Sequence, residues 1–142
     1  MASILKVDQL QGIATAGNIT VTSEGGAATQ SVQQGLAKVW CNWDSSQTAR
    51  DSFNISTVTD TAQGRATLTF TNNMSNNDYA IASHQRQGTG DSYLKGSYGL
   101  AEGTDTISTS QLLIRHASVN ASTFTTSYDA NYNSTILHGD LA

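Results

Sequence analysis

The stretch Leu36–Trp43, LAKVWCNW, decides the fold. Successive side chains of an extended strand point to opposite faces, so Ala37, Val39, Cys41 and Trp43 share one side and Lys38, Trp40 and Asn42 the other. The first set predicts a strand with a buried face built on Val39, Cys41 and Trp43. Trp40, beside Lys38 on the second face, has to meet either another layer of the fold or another subunit. The same eight residues hold both tryptophans and the only cysteine of the chain. A lone cysteine excludes an intramolecular disulfide framework and a cysteine-rich zinc site, so Cys41 reads as a small buried hydrophobe.

Outward from this strand the two-residue period continues. Residues 53–59 and 65–71 face each other across a turn containing Gln63 and Gly64, which predicts a hairpin. In its second arm Ala66, Leu68 and Phe70 oppose Thr67, Thr69 and Thr71, the pattern of a half-buried antiparallel strand. Further runs follow at 79–84, in DSYLKGSYGLA (91–101), in QLLIRHASV (111–119), in STFTTSY (122–128) and in NSTILHG (133–139). About eight strands result, separated by Asn, Asp, Gly and Ser turns, with no amphipathic helix after residue 35. The expected fold is all-β: an antiparallel, jelly-roll-like β-sandwich over residues 35–142. Proline is absent, so sheet edges must be paired, charged or covered by other means.

Residues 1–34 have a different texture and read as an N-terminal arm. Two β-like runs, 4–10 and 18–22, flank a loop with Gly12 and Gly17, and TQSVQQG reads as a linker or one helical turn ended by Gly35. Ile4, Leu5, Val7, Leu10, Ile13, Ile19 and Val21 would stay largely wet in a single copy. They are therefore candidate contacts to other copies or to a partner protein, together with Trp40.

The 142 residues and 15.0 kDa suit one compact domain with an appendage. Only 37% of residues are hydrophobic and 13% charged, with Ser, Thr, Asn, Gln and Gly filling the difference. So little apolar material per chain makes oligomerisation the expected remedy for the entropy of folding. Seven Lys and Arg against eleven Asp and Glu, scattered along the chain, argue against a nucleic-acid groove. The start MASILKVDQLQ lacks a signal-peptide pattern and no apolar run is long enough to span a bilayer, which points to a protein made in the cytoplasm without membrane insertion.

Catalytic chemistry finds no pattern to rest on. His84, His116 and His138 have no metal-ligand spacing and read as satisfied or exposed single histidines, although a trimer axis could gather three copies of one of them. The acids sit mostly alone in turns, where Asp caps its own backbone, and neither a nucleophile elbow nor a phosphate loop is present. The expectation is a non-enzyme without cofactor or metal. Tyr93, Tyr98, Tyr128 and Tyr132, set among Asn, Asp, Ser and Gly, form a candidate receptor or glycan surface, although packing at strand ends is the commoner use of such tyrosines.

The combination GLAKVWCN (35–42), RDSFN (50–54), STVTD (56–60), Gly64, TLTFTNNMS (67–75) and Tyr79 resembles a domain of fibre and tail-fibre-like virion proteins of marine tailed bacteriophages, including cyanophages. The opening ILKVDQLQG is similar to the head of such proteins, and the likeness runs to about residue 85. It implies a virion structural protein, usually trimeric, whose arm (1–34) attaches to another virion protein of head, neck or tail while the knob (35–142) projects toward the host surface and its glycans. The length, with no repeated shaft, suits a short fibre, spike or knob. Alternatives are a head decoration or adaptor protein of the virion, or a free carbohydrate-binding module.

Overall fold

The computed structural model describes residues 4–13, 19–22, 25–26, 28–86, 94–98, 107–120 and 123–142. They divide into two compact units, Met1–Leu36 and Ala37–Ala142. Among the described residues almost every element is a strand, every pairing is antiparallel, and no helix is long and apolar enough to cross a membrane.

In the first unit β1 (Thr20–Thr22) pairs with β2 (Thr29–Ser31), and Ser31 caps the single turn α1 (Val32–Gly35) by accepting the Gln34 N–H at 3.4 Å. The run 4–10, expected to be β-like, is not a strand: no described segment pairs with it, and Ile4 and Leu5 are 80% and 78% exposed. Alternation without a partner strand leaves the backbone groups to water, so the pattern by itself does not fix the conformation. Of the run 18–22, residue 18 lies outside the described residues, Ile19 is not strand and β1 covers the rest; its partner β2 lies in what reads as linker.

The second unit is built on two sheets. One has the order β4 (Ala49–Phe53), β3 (Val39–Trp43), β11 (Tyr132–His138), β7 (Ala80–Arg86). The other has the order β10 (Thr123–Ser127), β9 (Gln111–Asn120), β6 (Arg65–Phe70), β5 (Ile55–Ala62), with β8 (Leu94–Tyr98) also pairing β9. A single hydrophobic cluster takes Val39, Cys41, Trp43 and Leu137 from the first sheet and Ala66, Leu68, Phe70, Leu112 and Ile114 from the second, closed by Met74 and Tyr79. Two antiparallel sheets sharing one core is a sandwich-like arrangement. The described residues of one chain thus build that core from their own side chains.

The run 53–59 is not one strand. It breaks at Asn54, which takes a left-handed φ of 60°, so that β4 and β5 enter different sheets. Asn tolerates that conformation better than most residues because its short amide bonds locally. Here the amide accepts the Asn72 N–H at 2.7 Å and donates to the Asn72 carbonyl at 3.0 Å. The expected hairpin forms between β5 and β6 with Gln63 and Gly64 in the turn; only Gly64 takes a positive φ, and the ladder shifts register between Asp60 and Ala62.

β3 alternates as expected, with Val39, Cys41 and Trp43 buried and Trp40 and Asn42 half-buried. Burial raises the Cys41 thiol to about 11, with Asp51 adding to the effect, so it stays a protonated, inert core group. Two expectations fail at the margins of the pattern. Lys38 is only 4% exposed, just ahead of β3 with its N–H donating to the Leu137 carbonyl at 2.9 Å, and Thr67 is buried although it faces away from Leu68.

Candidate functional site

The two faces of the β4-β3-β11-β7 sheet carry different chemistry, and register places each residue. On the inner face three transverse rows run Ile81–Leu137–Val39, then Ser83–Thr135–Cys41, then Gln85–Asn133–Trp43. The core therefore grades from apolar at one end to polar at the other. The second sheet repeats the gradient, since Leu112, Ile114 and His116 are the buried positions within residues 111–116 of β9.

At the polar end the His116 ring stacks on Trp43, with centroids 5.8 Å apart and planes at 21°. Asp129 accepts the Gly64 N–H at 2.7 Å and a Gln47 amide N–H at 3.3 Å, while the Gly64 carbonyl accepts the His116 N–H at 2.7 Å. Asn133 donates to the Ala130 carbonyl at 2.8 Å. Trp43 Nε1, Gln47 Oε1, Asn133 Oδ1 and both ring nitrogens of His116 find no partner among the described residues. The reading of His116 as a satisfied or exposed histidine is thus corrected: it is fully buried, and its ring finds no hydrogen-bond partner among the described residues.

That burial has a thermodynamic consequence. Desolvation lowers the imidazole from 6.5 to about 4, against a smaller opposing pull from Asp129. The unfolded chain then binds a proton that the folded chain refuses, and stability falls as pH drops from 6.5 and is fully lost for this group near 4. A displacement of about 2.5 pH units corresponds to about 3 kcal/mol. Urea unfolding at pH 7 and pH 4 is expected to give a loss for the native chain about 3 kcal/mol larger than for His116→Gln; equal losses would contradict the assignment.

The outer face has its own rows. Phe53, Trp40, Ile136 and Ala82 are direct cross-strand partners and form one apolar line across all four strands. Phe53 is 50% and Ile136 36% exposed, with Trp40 half-buried between them. The next row, Asp51–Asn42–Ser134–His84, is polar.

Beyond it the strand ends frame an open cleft of about 450 Å³ lined by Asp44, Ser45, Ser46, Arg50, Arg86, Asn131 and Tyr132. Its shape comes from local rules. Asp44 caps the β3–β4 turn by accepting the N–H groups of Ser46 at 2.9 Å and Thr48 at 3.1 Å, as turn aspartates do. The ladder then slips between Asn42 and Trp43, leaving Arg50 as the residue skipped in the pairing of β4 with β3. Its guanidinium lies 4.3 Å from the centroid of the Tyr132 ring and donates to the Asn131 carbonyl at 2.9 Å. Arg86, directly opposite Tyr132 in the ladder, lies 5.5 Å from the same centroid. One tyrosine ring thus packs against two cations.

The candidate residues from the sequence are scattered differently than grouped there. Tyr132 lies in the cleft, 46% exposed, but as a support for arginines rather than a bare stacking platform. Tyr128 is half-buried beside Asp129, Tyr93 lies outside the described residues, and Tyr98 is placed only by its backbone in β8. Of the arm, Ile4, Leu5, Val7, Leu10, Ile13 and Val21 are exposed and Ile19 half-buried. His84 is exposed on β7, His138 half-buried on β11 and His116 buried on β9; among the described residues no three His, Cys, Asp or Glu side chains gather as a metal site. Arg50, Arg86, Phe53 and Ile136 were not singled out by sequence. Nothing in the spacing of positions 50, 86 and 132 brings them together; the sheet register does. No family model, curated protein or solved structure matches this chain.

Proposed function

We propose that the chain is a non-enzymatic structural component of a tailed-bacteriophage particle: a homotrimeric, jelly-roll-like β-sandwich knob joined to another virion protein through its N-terminal arm. The observation that carries association is the Phe53–Trp40–Ile136–Ala82 row, a continuous apolar line on the outer face of a sheet whose inner face is already filled. Apolar side chains in register across four strands offer a neighbour a coherent surface, whereas the same residues scattered singly would not. The exposed apolar side chains of the arm add a second surface of this kind. The virion assignment rests on the resemblance of residues 35–79 and of the opening segment to phage fibre proteins. A short fibre, spike or knob is favoured over a decoration or adaptor protein by that same resemblance.

The residue at the centre of the row separates association from folding. Trp40→Ala is expected to shift the solution mass toward 15.0 kDa while the melting temperature of the dissociated unit changes little. Loss of melting temperature without any change in mass would place Trp40 in the fold instead and remove the proposed interface.

A further inference from the structure

The cleft at the other end of the same sheet face carries chemistry that association does not use. Arg50 and Arg86 point their charge at one tyrosine ring, and neither forms an ion pair with a carboxylate among the described residues. Each guanidinium offers five donors in a fixed fork, and among the described residues the only hydrogen bond either one makes is from Arg50 to the Asn131 carbonyl. Two cations on one ring repel each other while the ring attracts both. An anion in the cleft that both arginines line would be attracted by both. The rest of the lining is neutral or hydrogen-bonding: Ser45, Ser46, Asn131 and the carboxylate of Asp44, whose Oδ1 is committed to the turn. A volume of about 450 Å³ admits a sugar ring or two.

We propose that the Arg50–Tyr132–Arg86 cleft binds an acidic saccharide, with the sugar carboxylate held by the two guanidiniums and its hydroxyls by Ser45, Ser46 and Asn131. Carboxylate suits this pair because the forked donors match its planar oxygens, while the polar rim and the single acid suit hydroxyls better than further charge. A compact tetrahedral anion would use the arginines and leave the rim idle. The site is separate from the apolar row: the cleft residue Tyr132 and Ile136 are four residues apart on β11, about 13 Å along the strand. This inference therefore stands or falls independently of trimer formation.

The test is titration of the full chain with a glucuronate-containing oligosaccharide, its neutral glucose counterpart, inorganic phosphate and sulfate, followed by calorimetry or by shifts of the Ser45, Ser46 and Asn131 amides. The expected result is binding of the uronate oligosaccharide at least tenfold tighter than the neutral one and than either inorganic anion. Arg50→Gln and Arg86→Gln are each expected to weaken it on the order of tenfold, and added salt to weaken it further. Arg86→Lys, which keeps the charge and loses the fork, should fall between native and Arg86→Gln. Equal binding of the neutral sugar, phosphate or sulfate binding as tightly as the uronate, arginine variants that bind like the native chain, or no binding at millimolar ligand would each overturn the proposal.

Discussion

Trp43→Ala is expected to cost about 3–5 kcal/mol in urea unfolding at pH 7, the loss typical of deleting a large aromatic from a closed core. Trp43 is fully buried on the inner face of β3, in the row with Asn133 and Gln85, and its indole stacks on His116. Nothing else in the described core matches its volume, so the neighbouring side chains would have to collapse around the void. A domain of this size has only about 5–15 kcal/mol to lose. The same variant should also blunt the acid sensitivity of the chain. Once the indole is gone water reaches His116, the desolvation that lowers its imidazole is relieved, and the stability change between pH 7 and pH 4 shrinks. Trp43→Phe, which keeps a ring over His116, should retain most of both effects. A loss below about 1 kcal/mol for Trp43→Ala would mean that the polar end of the core is not packed as described.

Gly64→Ala is the second large effect, expected at about 3–4 kcal/mol from two additive causes. The residue sits at φ +71°, where a side chain is strained, and a Cβ there would lie 2.6 Å from the His116 carbonyl oxygen, 2.7 Å from the Tyr128 nitrogen and 2.8 Å from the Ser127 Cβ. Two of those three atoms are backbone and cannot swing aside. Gly64 also links three segments, with its N–H on Asp129 and its carbonyl on the His116 N–H. Displacing it pulls the β5–β6 hairpin away from β9 and from the turn that bears Asp129. Thermal unfolding of Gly64→Ala beside Gly26→Ala, where φ is +69° but an added Cβ meets nothing within 4 Å, isolates the close approach from the cost of a side chain at positive φ. Similar losses for both would contradict the packing around Gly64.

What the sequence disclosed and what it withheld divide along physical lines. Where one face of a strand is buried, the two-residue period is enforced by packing, and the inward Val39, Cys41 and Trp43 of LAKVWCNW and Ala66, Leu68 and Phe70 of RATLTF are read correctly from it, while Lys38 and Thr67 are not. Cys41 follows from the same rule. The break at Asn54 was hidden because a single left-handed residue inside a β-rich run leaves the period on either side intact. The run 4–10 misled in the opposite way, since alternation persists there without a strand to pair with. The site was less legible still. Tyr132 was visible as an aromatic among polar residues, but its two arginines lie 82 and 46 positions away in sequence and meet it only through a bulge at Arg50 and the β7–β11 register. His116 looked like any strand histidine. Its burial depends on falling at the inward phase of β9, opposite Trp43, and one strand's sequence does not reveal the residue it faces in the other sheet.

The proposed function joins these layers. A core filled from within one chain leaves the outer row of Phe53, Trp40 and Ile136 as surface for another copy, and a polar cleft at the far end of that face free for ligand. The most direct test of the central claim is the mass of the full chain in solution, measured by sedimentation equilibrium over a range of concentrations. The account predicts a species three times the 15.0 kDa chain mass. A single 15.0 kDa species at every concentration would contradict it.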